Sequence, residues 1–304
     1  MIKRILVLLL AALLLLSFSA CSTGINTSGS TSTSDTQSDS GSGLAQYVDP
    51  GKVKVRMFKI GKADATLIRT ENYTFLIDTG ETDDAVEILE YFAEKEIKYI
   101  DYLVISMFDD DHVGGAAAII AGIEVKNVIQ PNYEEKSDEY LAYIAALETA
   151  GITPTVLTED MTVTLNDATI KLYASDRSQY TDYKDENASI IITMQHGDNS
   201  FLFASDAQSE RLAELVKANL GSFTFLKVPD HGTLNDKSEA FINMVSANIA
   251  AITCSSKNPA SSDVISYLKN AGATVYLTAN GAIKLTSNGS SLSVKQGATL
   301  EGDE

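Results

Sequence analysis

An α/β fold, in which two mixed β-sheets pack face to face under outer helices as a four-layer αββα sandwich, follows from two observations. A β-rich stretch followed by alternating strands and helices occurs twice in similar order. The block from Tyr47 to the C-terminus is also long enough to bury one sizeable core, and it carries no internal repeat.

The elements can be justified in order. Val53 to Ile60, Thr66 to Thr70 and Thr74 to Ile77 are rich in β-branched and aromatic residues and are split by polar turns, which predicts a strand meander. Asp83 to Lys95 has helical periodicity with an acid at its start. A strand at Tyr102 to Ile105, an alanine-rich helix from Gly115 to Ala121, a strand near Val128, a helix from Ser137 to Ala150 and a strand at Thr155 to Leu157 continue the alternation. Met161 to Leu165, Thr169 to Ala174, Ser189 to Gln195 and Ser200 to Ala204 then follow one another through turns, implying a mainly antiparallel sheet. Helices at Ala207 to Asn219, Lys237 to Ser246 and Ser261 to Asn270 alternate with strands at Phe223 to Val228 and Ile249 to Thr253. Terminal strands near Val275, Ile283 and Leu292 complete the chain.

The first 46 residues read differently. Lys3 and Arg4, an apolar run from Ile5 to Leu16 and small residues ahead of Cys21 form a secretory signal over residues 1–20, too short to be a spanning helix of roughly 20 residues. Small residues before a cysteine resemble a bacterial lipobox, which implies that Cys21 is lipidated and that the protein is held on the outer face of the cytoplasmic membrane. Residues 21–46 are almost entirely Ser, Thr, Gly, Asn and Asp and read as a flexible tether, leaving 47–304 as the folded domain. Once Cys21 is acylated, Cys254 is the remaining cysteine, which excludes an intrachain disulfide; its apolar surroundings predict a buried, inert thiol.

The formal net charge is −18. Such acidity repels polyanions unless cations intervene, which argues against unaided tight binding of long nucleic acids, and it also keeps an exported domain soluble.

One stretch carries most of the chemistry. From Tyr102 to Gly115 the chain reads Tyr-Leu-Val-Ile-Ser-Met-Phe-Asp-Asp-Asp-His-Val-Gly-Gly, so a buried strand delivers Asp109, Asp111 and His112 onto a loop that a glycine pair closes. Adjacent carboxylates repel one another without a cation, and a loop at a sheet's edge lets a metal draw side chains together without crossing a packed core. Asp110, in the middle, reads as solvated. His196, in Gln195-His-Gly-Asp-Asn-Ser200, reads as an exposed residue of a hairpin turn.

Four segments then line up. Met57 to Ile68, Leu76 to Gly80, the Asp109 to Gly115 loop, and the pair Leu202 to Ala207 and Leu226 to Gly232 together resemble the metallo-β-lactamase superfamily, most closely the branch typified by the extracellular domain of ComEC competence proteins. The resemblance spans nearly all of residues 52–295, and several segments agreeing in order is more specific than any one motif. It implies the metallo-β-lactamase fold, and one or two divalent ions held by a His-x-Asp-x-Asp-His loop, a bridging aspartate and a terminal His-His-Gly. Carried over, the metal set is Asp109, Asp111, His112, Asp206, Asp230 and His231, with Asp109 or Asp206 as the catalytic base and Asp78 and Asn187 steadying the ligands. Local roles compete: Asp78 could cap the turn before the following helix, and local hydrogen bonding explains Asn187 and Ser189 nearly as well. Asp64 matches a Gly-Gln-Gly-Asp-Ala loop in which Lys62 and Ala63 replace Gln and Gly, and a local turn role is expected for it.

Two positions depart from the pattern. Met107 stands in for the first loop histidine and Asp230 for the first histidine of the terminal pair. A thioether is a poor ligand for borderline ions whereas a carboxylate is a good one, so Met107 removes a ligand and Asp230 exchanges one. The remaining set suits Zn²⁺ or Mn²⁺ first and is also compatible with Mg²⁺ or Ca²⁺. The resemblance implies a surface-anchored metal-dependent hydrolase of phosphodiesterase or nuclease type acting on a nucleotide or nucleic acid; the alternative is a non-catalytic lipoprotein of the same fold that binds a ligand or partner. No partner protein is identifiable from the residues.

Overall fold

A computed structural model describes residues 51–297. The signal segment, Cys21 and the tether lie outside the described residues. Strands β1 (Val53–Met57), β2 (Thr66–Arg69) and β3 (Thr74–Ile77) form the expected meander, followed by helix α1 (Ala85–Glu94). Two minor strands that the sequence did not announce, β4 (Tyr99–Ile100) and β6 (Glu124–Val125), pair in parallel as a small separate ribbon. Between them lie β5 (Tyr102–Val104), the single turn α2 (Asp110–Val113) and α3 (Ala116–Gly122). Next come β7 (Val128–Pro131), α4 (Asp138–Ala150) and β8 (Thr155–Leu157), with Ser137 Oγ accepting the Tyr140 amide as the N-cap of α4.

The middle segment supplies β9 (Met161–Leu165), β10 (Ala168–Tyr173), α5 (Lys184–Asn187), β11 (Ile191–His196) and β12 (Asn199–Phe203). The second αβ run is α6 (Ser209–Ala218), β13 (Phe225–Lys227), α7 (Ser238–Val245), β14 (Ile249–Ile252), α8 (Ser262–Asn270) and β15 (Thr274–Leu277). Strands β16 (Ala282–Ser287) and β17 (Leu292–Gly297) close it.

The first large sheet has the order β17-β16-β1-β2-β3-β5-β7-β8 and the second β15-β14-β13-β12-β11-β10-β9. Each is part antiparallel and part parallel, as the two kinds of connection dictate: tight turns give antiparallel neighbours, crossovers through a helix give parallel ones. Alternation along each strand sorts the side chains into three apolar layers. Phe75 joins the layer between the sheets, with Val55, Ile192 and Phe225, while its neighbour Leu76 joins the layer under α1, α3 and α4. On the second sheet Leu202 and Leu226 pack with Leu212, Phe241 and Leu268 beneath α6, α7 and α8. Helix, sheet, sheet and helix are thus stacked as expected. At ~25 cal/mol per Å² of apolar burial, these layers are what offsets the entropy of ordering the chain.

His196 corrects the sequence reading. It does end a hairpin, pairing with Asn199, but it is fully buried, with Nδ1 2.7 Å from Ser287 Oγ. A turn is exposed only if nothing lies over it, and here the β16–β17 turn does: the Asp198 amide donates to Gly289 O and Asn199 Nδ2 to Ser291 O. Cys254 is buried and unpaired, as expected. Among the described residues no helix is long and apolar enough to cross a membrane.

Candidate metal centre

The ends of β3, β5, β12 and β13 meet at one rim of the sandwich, and the loops leaving them carry the polar residues. Asp78 follows β3, the Ser106 to Gly115 segment follows β5, Ser205 and Asp206 follow β12, and Asp230 and His231 follow β13. Four of these, Asp78, Ser205, Asp230 and His231, hold left-handed backbone angles with φ of 58°, 45°, 45° and 50°. Non-glycine residues in that region cost roughly 1–3 kcal/mol each and persist where the surroundings force them, as at functional sites.

The α2 loop is clamped from below. Thr79 contributes both its amide and its hydroxyl to His112 O, at 2.8 and 2.9 Å, and the Asp64 amide donates to Asp111 O at 2.9 Å. The glycine pair makes this approach feasible: a Cβ on Gly115 would lie 2.4 Å from Thr79 O and one on Gly114 2.8 Å from the Thr82 amide nitrogen.

Both histidines of the rim are oriented by their Nδ1 atoms. His112 Nδ1 lies 3.0 Å from Asp78 Oδ2, and Asp78 is itself held by the amide and hydroxyl of Ser106, each at 2.7 Å. His231 Nδ1 lies 3.0 Å from Thr253 Oγ1. Each Nε2 is left facing inward. His112 Nε2 is 3.2 Å from Asp206 Oδ2, and His231 Nε2 is 3.0 Å from the same oxygen and 3.3 Å from Asp111 Oδ2. Neither Nε2 makes a hydrogen bond with any described residue despite full burial of the atom, and nor does Asp64 Oδ1. Donor atoms of Asp111, His112 and His231, and of Asp64, Asp206 and His231, lie within 4.8 Å of one another. Two inward-facing Nε2 atoms with their other nitrogens anchored, beside convergent carboxylates, fit a divalent cation that would displace the Nε2 protons on binding.

A feature that sequence reading missed sits among them. Lys227 ends β13 with the same parity as Phe225, so its stem enters the layer between the sheets and its ammonium emerges at the rim. It is buried, forms an ion pair with Asp64, donates to Ser205 O at 2.9 Å and lies 3.4 Å from Asp206 Oδ1. Asp64, expected only to shape a turn, is therefore part of the cluster, and its fold position across from β13 is the reason. The available signal was a lysine inside the apolar run Phe225-Leu-Lys-Val228, since a buried strand tolerates a charge only when it is paired.

The charges tune one another. Burial is the largest influence on His231 and disfavours its imidazolium, yet Asp206, Asp111 and Asp64 together push it up to about 10. His112 behaves alike: burial opposes the charge, and Asp206 and Asp78 outweigh it to hold the group well above its ordinary range. Asp206 moves the other way, because His231, His112 and Lys227 overcome the burial penalty and hold it well below the usual carboxylate range. Burial also opposes ionisation of Asp111, but His231, His112 and Lys62 pull its carboxyl down; Lys62 Nζ lies 2.7 Å from Asp111 Oδ2.

The six residues read from the sequence thus divide. Asp111, His112, Asp206 and His231 come together. Asp109 and Asp230 fall outside the convergent groups, and partial desolvation of its carboxyl raises each to about 6. Asp230 Oδ2 instead accepts from Gln208 Nε2 at 2.5 Å. Asp78 supports His112 through its carboxylate, whereas Asn187 joins Asp182 O to the Arg211 amide at the start of α6. Met107 is fully buried.

A family profile described as the metallo-beta-lactamase superfamily matches residues 60–252. Recombination protein 2 of Haemophilus influenzae is 25% identical over 214 residues, covering 68% of this chain and 25% of its own length. ComE operon protein 3 of Bacillus subtilis is 22% identical over 231 residues, covering 67% of this chain and 29% of its own. The chain therefore spans about a quarter of the length of these relatives. Among solved structures, the metallo-beta-lactamase fold protein YhfI from Bacillus subtilis superposes with a TM-score of 0.53 at 9% identity, over 74% of this chain and 96% of that one. The CmlA beta-hydroxylase E377D mutant gives 0.50 at 14% identity, over 74% and 52%. With the profile running across both sheets and the matched proteins being of the competence type, the chain belongs to the metallo-β-lactamase superfamily and resembles its ComEC-like branch.

Proposed function

We propose that this protein is an exported, surface-anchored metal-dependent hydrolase of phosphodiester bonds that works with a single divalent ion. The observation that carries this reading is the pair of anchored imidazoles whose buried Nε2 atoms face Asp206 and Asp111. Asp111, His112, Asp206 and His231 would hold the ion, Zn²⁺ or Mn²⁺ by the balance of nitrogen and oxygen donors. The bound ion would supply Lewis acidity and make a water acidic enough to attack at neutral pH. Lys227 between Asp64 and Asp206 supplies the second positive charge from the chain itself, which is why one ion is inferred.

The chain's other roles follow from position. Asp109 stands at the mouth with its carboxyl raised by burial to about 6, so it is poised to accept a proton near neutrality. Lys62, beside Asp111 with its side chain 39% exposed, is the cation available to a substrate phosphate. The names Recombination protein 2 and ComE operon protein 3 favour a nucleic acid or nucleotide substrate. The apolar leader and Cys21 support anchoring outside the cytoplasmic membrane through a lipid.

The test is metal content of the purified full chain by native mass spectrometry, followed by turnover of a bis-nitrophenyl phosphodiester with Zn²⁺ or Mn²⁺. One ion per chain and metal-dependent turnover, both lost in Asp111→Ala/His112→Ala, are expected. A chain that takes up no metal and shows no turnover would be the non-catalytic binding lipoprotein instead.

A further inference from the structure

Two lysines stand among the carboxylates of the rim, and they are held very differently. Lys227 is 3% exposed, its stem runs through the layer between the sheets, and Asp64, Asp206 and Ser205 O all take its ammonium. Lys62 lies on the loop between β1 and β2 with its side chain 39% exposed, and Asp111 is the carboxylate paired with it. An ammonium so placed can leave, whereas Lys227 cannot move without opening the core.

The oxygen that Lys62 holds is the inward-facing one. Lys62 Nζ lies 2.7 Å from Asp111 Oδ2, and the same Oδ2 lies 3.3 Å from His231 Nε2. An ammonium and a divalent ion compete for one carboxylate oxygen, because both draw on the same lone pairs and repel each other at contact distance. The loop keeps the root of the side chain fixed. The Phe58 amide donates to Ala65 O at 3.1 Å, the Ala63 amide to Ile60 O at 3.3 Å and the Asp64 amide to Asp111 O at 2.9 Å, while Ile60 and Ala63 are buried in the layer beneath α1, α3 and α4. Movement is thus left to the flexible four-carbon stem of the lysine. Glu81, Asp109, Asp110 and Glu135 line the same hollow as Lys62, so an ammonium leaving Asp111 meets other carboxylates within the opening.

We propose that Lys62 is a tethered competitor for the metal centre: without the ion it neutralises Asp111, and the ion is taken up by displacing it. This rests on the reading of Asp111, His112, Asp206 and His231 as the metal-holding set. Two consequences follow from the exchange. Affinity for the ion is set below what the four residues alone would give, so occupancy tracks the supply of metal outside the cell. The ammonium is released to the mouth only in the loaded chain, so the cation for a substrate phosphate becomes available together with the ion.

The test is competition between the full chain and a chromogenic chelator for Zn²⁺. Lys62→Gln keeps a polar side chain without the charge and should bind Zn²⁺ roughly three- to tenfold more tightly than the parent, the scale of a half-exposed ion pair. Lys62→Arg keeps the charge and should show no such gain. A second readout follows the ammonium itself, through acetylation by an N-hydroxysuccinimide ester read by peptide mass spectrometry. Zn²⁺ should raise the reactivity of Lys62 several-fold relative to exposed Lys59 on the same loop and leave Lys227 protected. Melting temperature checks that the variants are folded. Binding that is equal or weaker in Lys62→Gln overturns the competitor while leaving the metal centre standing. So does a Lys62 that stays equally protected in the loaded chain, because its ion pair then coexists with the metal. A chain that takes up no metal with either residue at position 62 overturns the metal centre and this inference with it.

Discussion

The strand-end rim and the outer face of the first sheet both crowd their charges, the rim by interleaving opposite ones and the sheet face by setting like ones across neighbouring strands. At the rim, buried Lys227, half-exposed Lys62 and two imidazoles are interleaved with Asp64, Asp78, Asp111 and Asp206, so each charge lies against an opposite one. On the sheet face, Arg56 stands opposite Lys284 and Lys284 opposite Lys295, with Glu87 of α1 acting on Arg56 and Glu94 3.0 Å from Lys95. The difference teaches what burial decides: inside the rim a charge needs an opposite one in direct contact, whereas on a sheet face like charges across strands are tolerated because solvent and the acids of a neighbouring helix offset them.

The largest test of this contrast is Lys227→Ala. Removing one partner of a buried ionic network typically costs about 3–5 kcal/mol, here because Asp64 loses its ion pair and Asp206 one of its three cationic neighbours. Urea unfolding of the metal-free chain should show that loss, and a divalent cation should recover part of it. A neutral outcome would mean that the rim does not depend on its lysine.

Next in size is Asp78→Ala. It frees His112 Nδ1 from its anchor, and the loss of such an orienting carboxylate commonly lowers metal affinity by about 10- to 100-fold. Competition with a chromogenic chelator reads this directly. An unchanged affinity would show that His112 is oriented by packing alone.

A pH scan sharpens the comparison further. His231 is pushed up from its ordinary 6.5 to about 10 in the fold, so its ion pairs with Asp206 and Asp111 contribute fully below pH 6.5 and are lost as the pH rises to about 10. The metal-free chain should therefore melt at progressively lower temperature across that window, and His231→Gln should flatten the trend. A trend as steep in His231→Gln would assign it to another group.

Smallest is Lys295→Thr, which removes a charge directly opposite Lys284. Thermal unfolding should show a gain of roughly 0.2–1 kcal/mol, opposite in sign to Lys227→Ala. A loss would mean that the lysine is held by favourable contacts and that the two regions do not differ as described.

Sequence alone located much of this. Short runs of β-branched and apolar residues between turns marked β3, β8 and β9 to the residue, and the apolar run ending at Ser106 showed where Asp111 and His112 would emerge. Asp206 and His231 could be carried over because they sit in short motifs at strand ends, where position along the chain and position in space coincide. The boundary between ligand and rim was not legible: Asp109 and Asp230 are as acidic in sequence as Asp111 and Asp206, and only the turn of the backbone distinguishes them. Nor was the burial of His196, which depends on a turn 91 residues further along.

Composition and periodicity thus determined which residues are apolar, which strand face each occupies and where chains of like elements end, since those are properties of neighbours a few residues apart. The tertiary structure decided that Lys227 meets Asp64, that Lys54, Lys284 and Lys295 share one face, and that two imidazoles aim at one carboxylate. Those facts rest on strand order and register, which pair segments far apart in the chain, and no local pattern encodes the partner across the gap.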